Sequence, residues 1–342
     1  MNTNFKNEEE LEDALSTPSQ ELIDQFKELK GDILFLGVAG KMGISMAKMA
    51  KRAIDKIGGT NKIIGVARFS TPKQQAYLEA HGITTFKGDL LDADFLKSLP
   101  EAKNVFYLAG QKFGTEGNES LTWAMNSYLP GLIAERFKNS NIVAFSTGCV
   151  YPLVPVTSAG SKETDVANPI GEYAQSCLGR ERLFEFGSKK YGTKVILIRL
   201  YYSVETRYGV LVDIASKVKN NTPVDLTMGY ANVIWQTDAN DMILRSLSYC
   251  NSPADILNIA GTEVFSIREV AQKFADIMGK IVEFTGTESD TALLGDGALS
   301  YKRLGKPKVN LNQMIEWTAQ WMLNEGKTLG KPTHFEARDG KY

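Results

Sequence analysis

Continuous apolar runs alternate with amphipathic segments along the first 200 residues of the chain. Runs of this kind are typical of strands in a parallel sheet, because helices cover both faces of such a sheet and leave no polar side. Between the runs, apolar residues recur at helical spacing; in 44–57 the lysines and the arginine lie on the outer face. The predicted strands are 32–38, 62–69, 83–90, 104–110, 141–148 and 194–200. Strands that alternate with helices predict an α/β fold with a doubly wound parallel sheet.

Charge and composition exclude several classes of protein. The chain has 342 residues with 39 Lys and Arg against 40 Asp and Glu, a formal charge of −1, so neither nucleic acid nor an anionic membrane is an expected partner. Three scattered cysteines and two histidines argue against a disulfide framework and against a metal site. The N-terminus is acidic and polar, and no apolar run reaches the roughly 20 residues that span a bilayer, so a cytoplasmic protein is expected. Its chemistry should come from Tyr, Ser/Thr, Lys/Arg or a cofactor.

A glycine-rich turn follows the first predicted strand and opens the first helix of the alternating region. Its sequence, GVAGKMG, places Gly37, Gly40 and Gly43 around Lys41 and Met42. Residues without a Cβ allow a tight turn and close approach of the backbone, and the N–H groups of the helix N-terminus then point at an anion. A strand before the turn and a helix after it are the context that a dinucleotide-binding turn requires.

The end of the second strand indicates which dinucleotide is bound. NAD-binding chains usually place a carboxylate there for the ribose 2′-hydroxyl, but here Ala67 is followed by Arg68. An arginine can pair with a 2′-phosphate, and Lys41 would add a second positive charge, so NADP(H) is favoured and NAD(H) stays possible. Asp89, followed by Leu90, is expected either at the adenine or as a helix cap.

Both ends of the chain differ from this alternating pattern. Residues 7–29 predict two short amphipathic helices divided at Thr17-Pro18-Ser19. After residue 200, strand-like segments mix with helices. The strand-like segments lie near 224–236, 255–261 and 280–286, and the helices near 209–221, 239–250, 266–278 and 311–325. We therefore expect an N-terminal helical extension (1–30), an NAD(P)-binding Rossmann domain (31–199, completed by segments of 230–262) and a mainly substrate-binding region (200–342).

From Gly31 to about Trp321 the chain resembles the extended short-chain dehydrogenase/reductase family, the group of nucleotide-sugar epimerases and dehydratases. The resemblance rests on several motifs in the family's order. These are the GxxGxxG-like turn; FYLAG (106–110), whose Ala109 and Gly110 would line the cofactor; Asn126, a structural asparagine; FSTGCVY (145–151), with the catalytic hydroxyl on Thr147 or its neighbour Ser146; and Tyr173 of the YxxxK motif.

This resemblance implies hydride transfer to or from the nicotinamide. Tyr173 would move the proton on the substrate oxygen, and Thr147 would hold that oxygen. A phenol is a poor base at neutral pH unless a nearby cation favours phenolate. The resemblance also implies a homodimer, formed through helices near 119–139 and 171–190.

Position 177 departs from the family pattern, because Cys177 stands where the lysine of YxxxK belongs. Three hypotheses follow. Arg180 lies seven residues after Tyr173, on nearly the same helix face, and would replace the missing cation. Alternatively, the chain binds a dinucleotide without redox chemistry and acts as a sensor or scaffold. In the third hypothesis, Cys177 is itself a nucleophile or a redox switch, although a cysteine at helical spacing is more often a core residue.

The substrate is expected to be a sugar, a sugar acid or a sugar nucleotide. Tyr202 occupies the position where many sugar-nucleotide members carry an asparagine, which weakens the nucleotide alternative. Arg207, Asn232 and Trp235 suit a polyol, with a core position as the alternative for Trp235. The sequence does not separate an epimerase from a dehydrogenase or reductase, since these differ only in whether the hydride returns to the same carbon.

Overall fold

The computed structural model describes residues 5–112, 114 and 116–341, and within them seven parallel strands form one central sheet. The strands of the chain are β1 (Ile33–Leu36), β2 (Ile63–Ala67), β3 (Thr84–Lys87), β4 (Asn104–Tyr107), β5 (Asn141–Thr147), β6 (Val154–Pro155), β7 (Lys194–Leu200), β8 (Tyr202–Val204), β9 (Val224–Asp225), β10 (Tyr230–Ala231), β11 (Val233–Trp235), β12 (Asp255–Ile259), β13 (Phe265–Ser266), β14 (Phe284–Thr285) and β15 (Thr291–Ala292). The sheet order is β3–β2–β1–β4–β5–β7–β12, and every neighbouring pair is parallel. The predicted α/β, Rossmann-like doubly wound fold is confirmed.

Helices cover both faces of this sheet, which explains why its strands are continuously apolar. The helices are α1 (Glu8–Leu15), α2 (Gln20–Phe26), α3 (Gly43–Lys56), α4 (Pro72–Ala80), α5 (Ala93–Ser98), α6 (Glu119–Trp123), α7 (Leu129–Arg136), α8 (Gly171–Tyr191), α9 (Val210–Lys219), α10 (Gln236–Arg245), α11 (Ile267–Met278), α12 (Ala298–Leu304) and α13 (Leu311–Leu323). Along β1, Ile33 and Phe35 pack into the layer of α2, α3 and α10. Leu34 and Leu36 point the other way, into the layer of α7 and α8. Both sets of side chains are therefore buried.

The helix predicted near 119–139 is interrupted by a turn of π-helix, Ala124–Tyr128, between α6 and α7. Pro130 stands at the start of α7 and has no N–H, so it cannot donate to the carbonyl of Asn126 four residues before it. The amide N–H of Leu129 instead bonds to the carbonyl of Ala124, with the i→i+5 spacing of a π-turn. The turn therefore leaves the Asn126 carbonyl available to another donor.

Beyond residue 200 the strands are short and pair outside the central sheet. β8 and β9 pair in parallel with β11 and β14, and β6 and β10 pair antiparallel with β15 and β13. Only β12 of this part joins the central sheet, beside β7. The N-terminal helices connect the two parts: Leu11 and Leu15 of α1 pack into the C-terminal core, whereas Phe26 of α2 packs into the α3 layer of the sheet.

Candidate active site

The glycine turn begins directly after β1. Gly37 has φ +92°, and a Cβ placed on it would lie 2.7 Å from the backbone nitrogen of Ala109. A Cβ on Gly43 would lie 2.3 Å from the carbonyl oxygen of Val38. The turn can therefore form only with glycine at both positions. Helix α3 starts at Gly43 and no side chain caps its N-terminus. Its first N–H groups and its positive dipole end fit the pyrophosphate of a dinucleotide.

An open cavity of about 240 Å³, the outer cavity, lies on one side of this turn, at the ends of β1, β2 and β4. The residues that line it and that the sequence analysis assigned to the cofactor are Gly37, Gly40, Arg68, Asp89, Leu90, Ala109 and Gly110. Arg68 and Asp89 are exposed at its rim. One carboxylate oxygen of Asp89 accepts from the N–H of Leu91 at 3.0 Å, so Asp89 stabilises its own turn as well as lining the cavity.

A second cavity of about 280 Å³, the inner cavity, lies on the other side of the turn. It shares Gly40, Leu108 and Gly110 with the outer cavity, so the two form one groove across the carboxyl ends of the strands. Binding crevices of doubly wound sheets lie at this edge. The inner cavity brings together predicted residues from four segments of the chain. They are Lys41, Met42, Gly43, Ser146, Thr147, Tyr173, Arg180 and Tyr202.

Tyr173 and Thr147 both line the inner cavity, and the Thr147 hydroxyl lies close enough to lower the pKa of the Tyr173 phenol. Burial raises the pKa of Tyr173 well above its ordinary value, and the nearby thiols of Cys177 and Cys149 raise it further. The Arg180 guanidinium and the nearby Thr147 hydroxyl oppose this increase in the pKa of Tyr173 without overcoming it. Tyr173 is therefore a phenol at neutral pH and carries a proton that it can donate.

Arg180 is a buried cation held by the π-turn and by β5. Its Nη2 donates to Asn126 Oδ1 at 2.7 Å, its Nη1 to the Phe145 carbonyl at 2.8 Å, and its Nε to the Asn126 carbonyl at 3.4 Å. Its guanidinium also lies 5.6 Å from the centroid of the Tyr107 ring. In the part of the chain that the structure describes, no carboxylate lies within 4 Å of this guanidinium. Its charge is therefore available to Tyr173.

Asn126 fixes the loop after β4 to the active-site helix α8. It exchanges two hydrogen bonds of 2.8 Å with the backbone of Gln111, and its amide donates to Ser176 at 3.1 Å. These contacts indicate a structural role for Asn126, as the sequence analysis predicted.

Cys177 is fully buried and does not line either part of the groove. It packs in an apolar cluster with Val150, Tyr201 and Leu293. Burial raises the pKa of the Cys177 thiol to about 11, so the group is a neutral thiol. This environment argues against the hypothesis that Cys177 is a nucleophile or a redox switch. The thiol that lines the inner cavity is Cys149, which is half-buried.

Two predicted roles at the groove need correction. Lys41 does not reach the outer cavity, because its ammonium donates to the Ser203 carbonyl at 2.8 Å and lies 3.9 Å from the centroid of the Tyr208 ring. The expectation that it adds charge at a 2′-phosphate is wrong. Ser146, predicted at the substrate, donates its hydroxyl to the buried carboxylate of Glu181. That carboxylate also pairs with Arg199 at 2.7 Å, so Ser146 lines the inner cavity with its hydroxyl already bound to a buried ion pair.

Three of the four other residues predicted at the substrate lie elsewhere. Arg207 does not line the inner cavity; it pairs with Glu12 at 2.6 Å and with Glu205 at 3.1 Å. Asn232 is buried and bonds to the backbone of Gly261 and Gly295. Trp235 is 2% exposed and packs edge-on against Trp317. It therefore occupies a core position, the alternative that the sequence analysis gave for it. Only Tyr202 lines the inner cavity.

Other residues that line the inner cavity were not predicted from the sequence. Lys112 comes from the loop after β4, Ser203 from β8, and Thr333 from the C-terminal segment. The position of Lys112, two residues after FYLAG, is the one available signal. The others depend on how distant segments pack.

No protein-family model matches the chain, and no curated protein sequence matches it. Solved structures do resemble it. The UDP-glucuronic acid 4-epimerase of Bacillus cereus, in complex with NAD, superposes with a TM-score of 0.72 at 17% identity, covering 86% of this chain and 100% of that chain. The dTDP-glucose 4,6-dehydratase of Bacillus anthracis, also in complex with NAD, has a TM-score of 0.71 at 16% identity, covering 86% and 97%. At this identity the likeness establishes the fold.

No helix in the described part of the chain is long and apolar enough to span a membrane.

Proposed function

We propose that the chain is an NAD(P)-dependent oxidoreductase or epimerase of the extended short-chain dehydrogenase/reductase type. It would transfer hydride to or from a hydroxyl-bearing or keto carbon of a sugar-type substrate. The observation that carries the proposal is that Tyr173 and Thr147 line one cavity that is continuous with the glycine turn. The solved structures of similar fold that contain NAD support the choice of cofactor.

The dinucleotide would lie along the groove, with its pyrophosphate at the N-terminus of α3. Its adenosine half would occupy the outer cavity, where Arg68, Asp89 and Leu90 line one wall and Ala109 lines the other. Its nicotinamide supplies or accepts the hydride. The exposed guanidinium of Arg68 favours a 2′-phosphate, although without the help of Lys41 this preference rests on a single charge. NADP(H) and NAD(H) are therefore both compatible with the outer cavity.

Tyr173 is the proposed acid and base, and Thr147 the hydroxyl that positions the substrate oxygen. In the reductive direction the phenol of Tyr173 donates its proton to the forming alkoxide. In the oxidative direction Tyr173 must first lose a proton, and Arg180 is the fixed charge that favours phenolate. Arg180 thus takes over the electrostatic part of the role that a lysine at position 177 would have. It acts on Tyr173 and not on the substrate.

A homodimer through the surfaces of α6 and α8 is part of the proposal. The side chains of Leu121 and Trp123 on α6, Tyr128 on the π-turn and Phe186 on α8 are exposed. Large exposed apolar side chains are typical of a protein interface. Light scattering of the purified chain, beside a Phe186→Glu variant, tests this part: the wild type should have twice the mass of the variant.

The proposed function is tested by cofactor binding and turnover. Purified protein is titrated with NADH and NADPH by fluorescence, and absorbance at 340 nm is then followed with sugars, sugar acids and nucleotide sugars. Binding with an absorbance change supports a dehydrogenase or reductase. Binding without a change requires product analysis for epimerisation, because the hydride then returns within one turnover. Cofactor binding without an absorbance change and without epimerisation would favour the sensor or scaffold alternative. Absence of cofactor binding would contradict the proposal.

A further inference from the structure

Two lysines line the inner cavity, and they are close enough for the ammonium of Lys112 to lower the pKa of Lys41. Lys41 comes from the glycine turn and Lys112 from the loop after β4. Lys41 Nζ donates to the Ser203 carbonyl, and Lys112 Nζ approaches the Thr333 carbonyl at 3.4 Å. Among the described residues, no carboxylate lies within 4 Å of the Nζ atom of the half-buried Lys41.

The electrostatics of this region favour an incoming anion. Burial lowers the pKa of Lys41 to about 7; Glu205 opposes this, while Lys112 and Arg207 lower it further. Burial also lowers the pKa of Lys112. The carboxylate of Glu205 is already bound to the guanidinium of Arg207, so it compensates Lys41 only in part. An anion that entered the cavity would raise the pKa of both lysines.

A buried hydroxyl lies in the same wall without a partner. Ser203 is 6% exposed, lines the inner cavity, and its Oγ has no hydrogen-bond partner among the described residues. An unpartnered buried hydroxyl carries a cost that a bound ligand removes. Its backbone carbonyl holds Lys41, so the hydroxyl and the ammonium belong to one local arrangement. Two cations and a hydroxyl donor are what a carboxylate or phosphate group requires.

The C-terminal segment limits the size of the ligand. Thr333 lines the inner cavity and is fixed by Asp213, whose carboxylate accepts from the Thr333 backbone N–H at 2.8 Å and from its hydroxyl. The inner cavity, which is open on one side like the outer cavity, has a volume of about 280 Å³, slightly below the roughly 300–1,000 Å³ of ordinary ligand pockets. Part of that volume belongs to the nicotinamide. What remains fits a monosaccharide better than a nucleotide sugar.

We propose that Lys41, Lys112 and Ser203 form a subsite for one oxyanion group of the substrate, a carboxylate or a phosphate, and that the substrate is a small acidic sugar. This inference rests on the proposed function. The direction of Lys41 argues for the substrate and against the dinucleotide pyrophosphate as the ligand. Its ammonium points to β8 and the Tyr208 ring, and it does not line the outer cavity.

The test compares anionic with neutral sugars. D-glucuronate, D-glucose 6-phosphate and D-glucose are titrated calorimetrically into protein saturated with the dinucleotide that binds better. The variants are Lys41→Met, Lys112→Met and Ser203→Ala, with Lys73→Met, an exposed lysine of α4, as the matched control. At least one anionic sugar should bind about tenfold more tightly than glucose, and each lysine variant should lose about tenfold of that affinity. The affinity for glucose and for the dinucleotide should stay within about twofold. Whichever anionic sugar binds better identifies the oxyanion.

Three results would overturn the subsite. Equal binding of glucose and both acids is the first. The second is a loss of dinucleotide affinity in Lys41→Met without a loss of acid affinity, which would assign the lysine to the pyrophosphate. The third is an equal loss in Lys73→Met. If no dinucleotide binds, the proposed function fails, and inorganic phosphate is titrated into the protein alone. Phosphate binding that Lys41→Met and Lys112→Met abolish would then still support the subsite, and absence of phosphate binding would contradict it. Circular dichroism of each variant confirms that it folds.

Discussion

The outer and inner cavities of the groove differ in how far their charged side chains are exposed to water. At the outer cavity, Arg68 and Asp89 are exposed at the rim, where water solvates them whether or not a ligand is bound. At the inner cavity, Arg180 is buried with no carboxylate within 4 Å in the part of the chain that the structure describes, and Lys41 has a lowered pKa. Exposed groups can select a ligand at little expense of stability, whereas buried groups must be held in place by the fold. The two cavities should therefore respond differently to substitution.

The largest effect should come from placing the family's lysine at position 177. Cys177 is fully buried beside Val150 and Tyr201, and the cation nearest to it is Arg180. Cys177→Lys would add an uncompensated charge and should lower the free energy of unfolding by about 3 kcal/mol or more. Urea denaturation measures this, with Cys177→Ala, expected to lose about 1 kcal/mol, as the size control. Turnover that appears only in Cys177→Lys would mean that the natural chain is chemically silent.

Removal of Arg180 should have the next largest effect. Arg180→Met leaves Asn126 Oδ1 and the Phe145 carbonyl without their donor and should lower the free energy of unfolding by about 2 kcal/mol. Because Arg180 lowers the pKa of Tyr173, the pH at which oxidative turnover begins should also rise. Arg182→Met, on the exposed face of the same helix, should change stability by less than about 0.5 kcal/mol. Equal effects of the two substitutions would contradict the role given to Arg180.

The lowered pKa of Lys41 predicts a dependence of stability on pH. Between pH 7 and 10.5 the unfolded chain keeps the Lys41 proton that the folded chain has lost, so this residue makes stability increase with pH. Below pH 7 both states carry the proton, and the contribution of Lys41 no longer changes. In Lys41→Met the free energy of unfolding should rise less steeply between pH 7 and 10. The difference in slope corresponds to at most one proton, which is about 1.4 kcal/mol per pH unit. Calorimetric unfolding at several pH values measures the difference; parallel curves would show that Glu205 neutralises Lys41 fully.

The smallest effect on stability should occur at the outer cavity. Arg68→Ala should change the free energy of unfolding by less than about 0.5 kcal/mol, because Arg68 is an exposed side chain at a strand end. If a 2′-phosphate is bound there, affinity for NADPH should fall about tenfold while affinity for NADH stays the same. Fluorescence titration with both cofactors provides the control within one experiment. Unchanged NADPH affinity would leave NAD(H) as the better choice.

The sequence predicted the sheet well because its strands are continuous apolar runs, which local patterning reveals. The sequence also predicted that Thr147, Tyr173 and Arg180 share one site, since helical periodicity places Tyr173 and Arg180 on one face of α8. The direction of Lys41 and the ion pairs of Arg207 depend on β8 and on Glu12, more than 150 residues away in sequence, and no local pattern indicates them. Small helices such as α12 were missed, as was the π-turn at Asn126.

The most direct test of the account is turnover by Tyr173→Phe beside the wild type. Phenylalanine removes the proton-carrying hydroxyl and little else, and Tyr191→Phe, near the end of the same helix, is the matched control. Dinucleotide affinity should stay within about threefold, while turnover falls about 100-fold or more in Tyr173→Phe and is unchanged in Tyr191→Phe. Wild-type turnover that survives in Tyr173→Phe would contradict the assignment of Tyr173 as the acid and base.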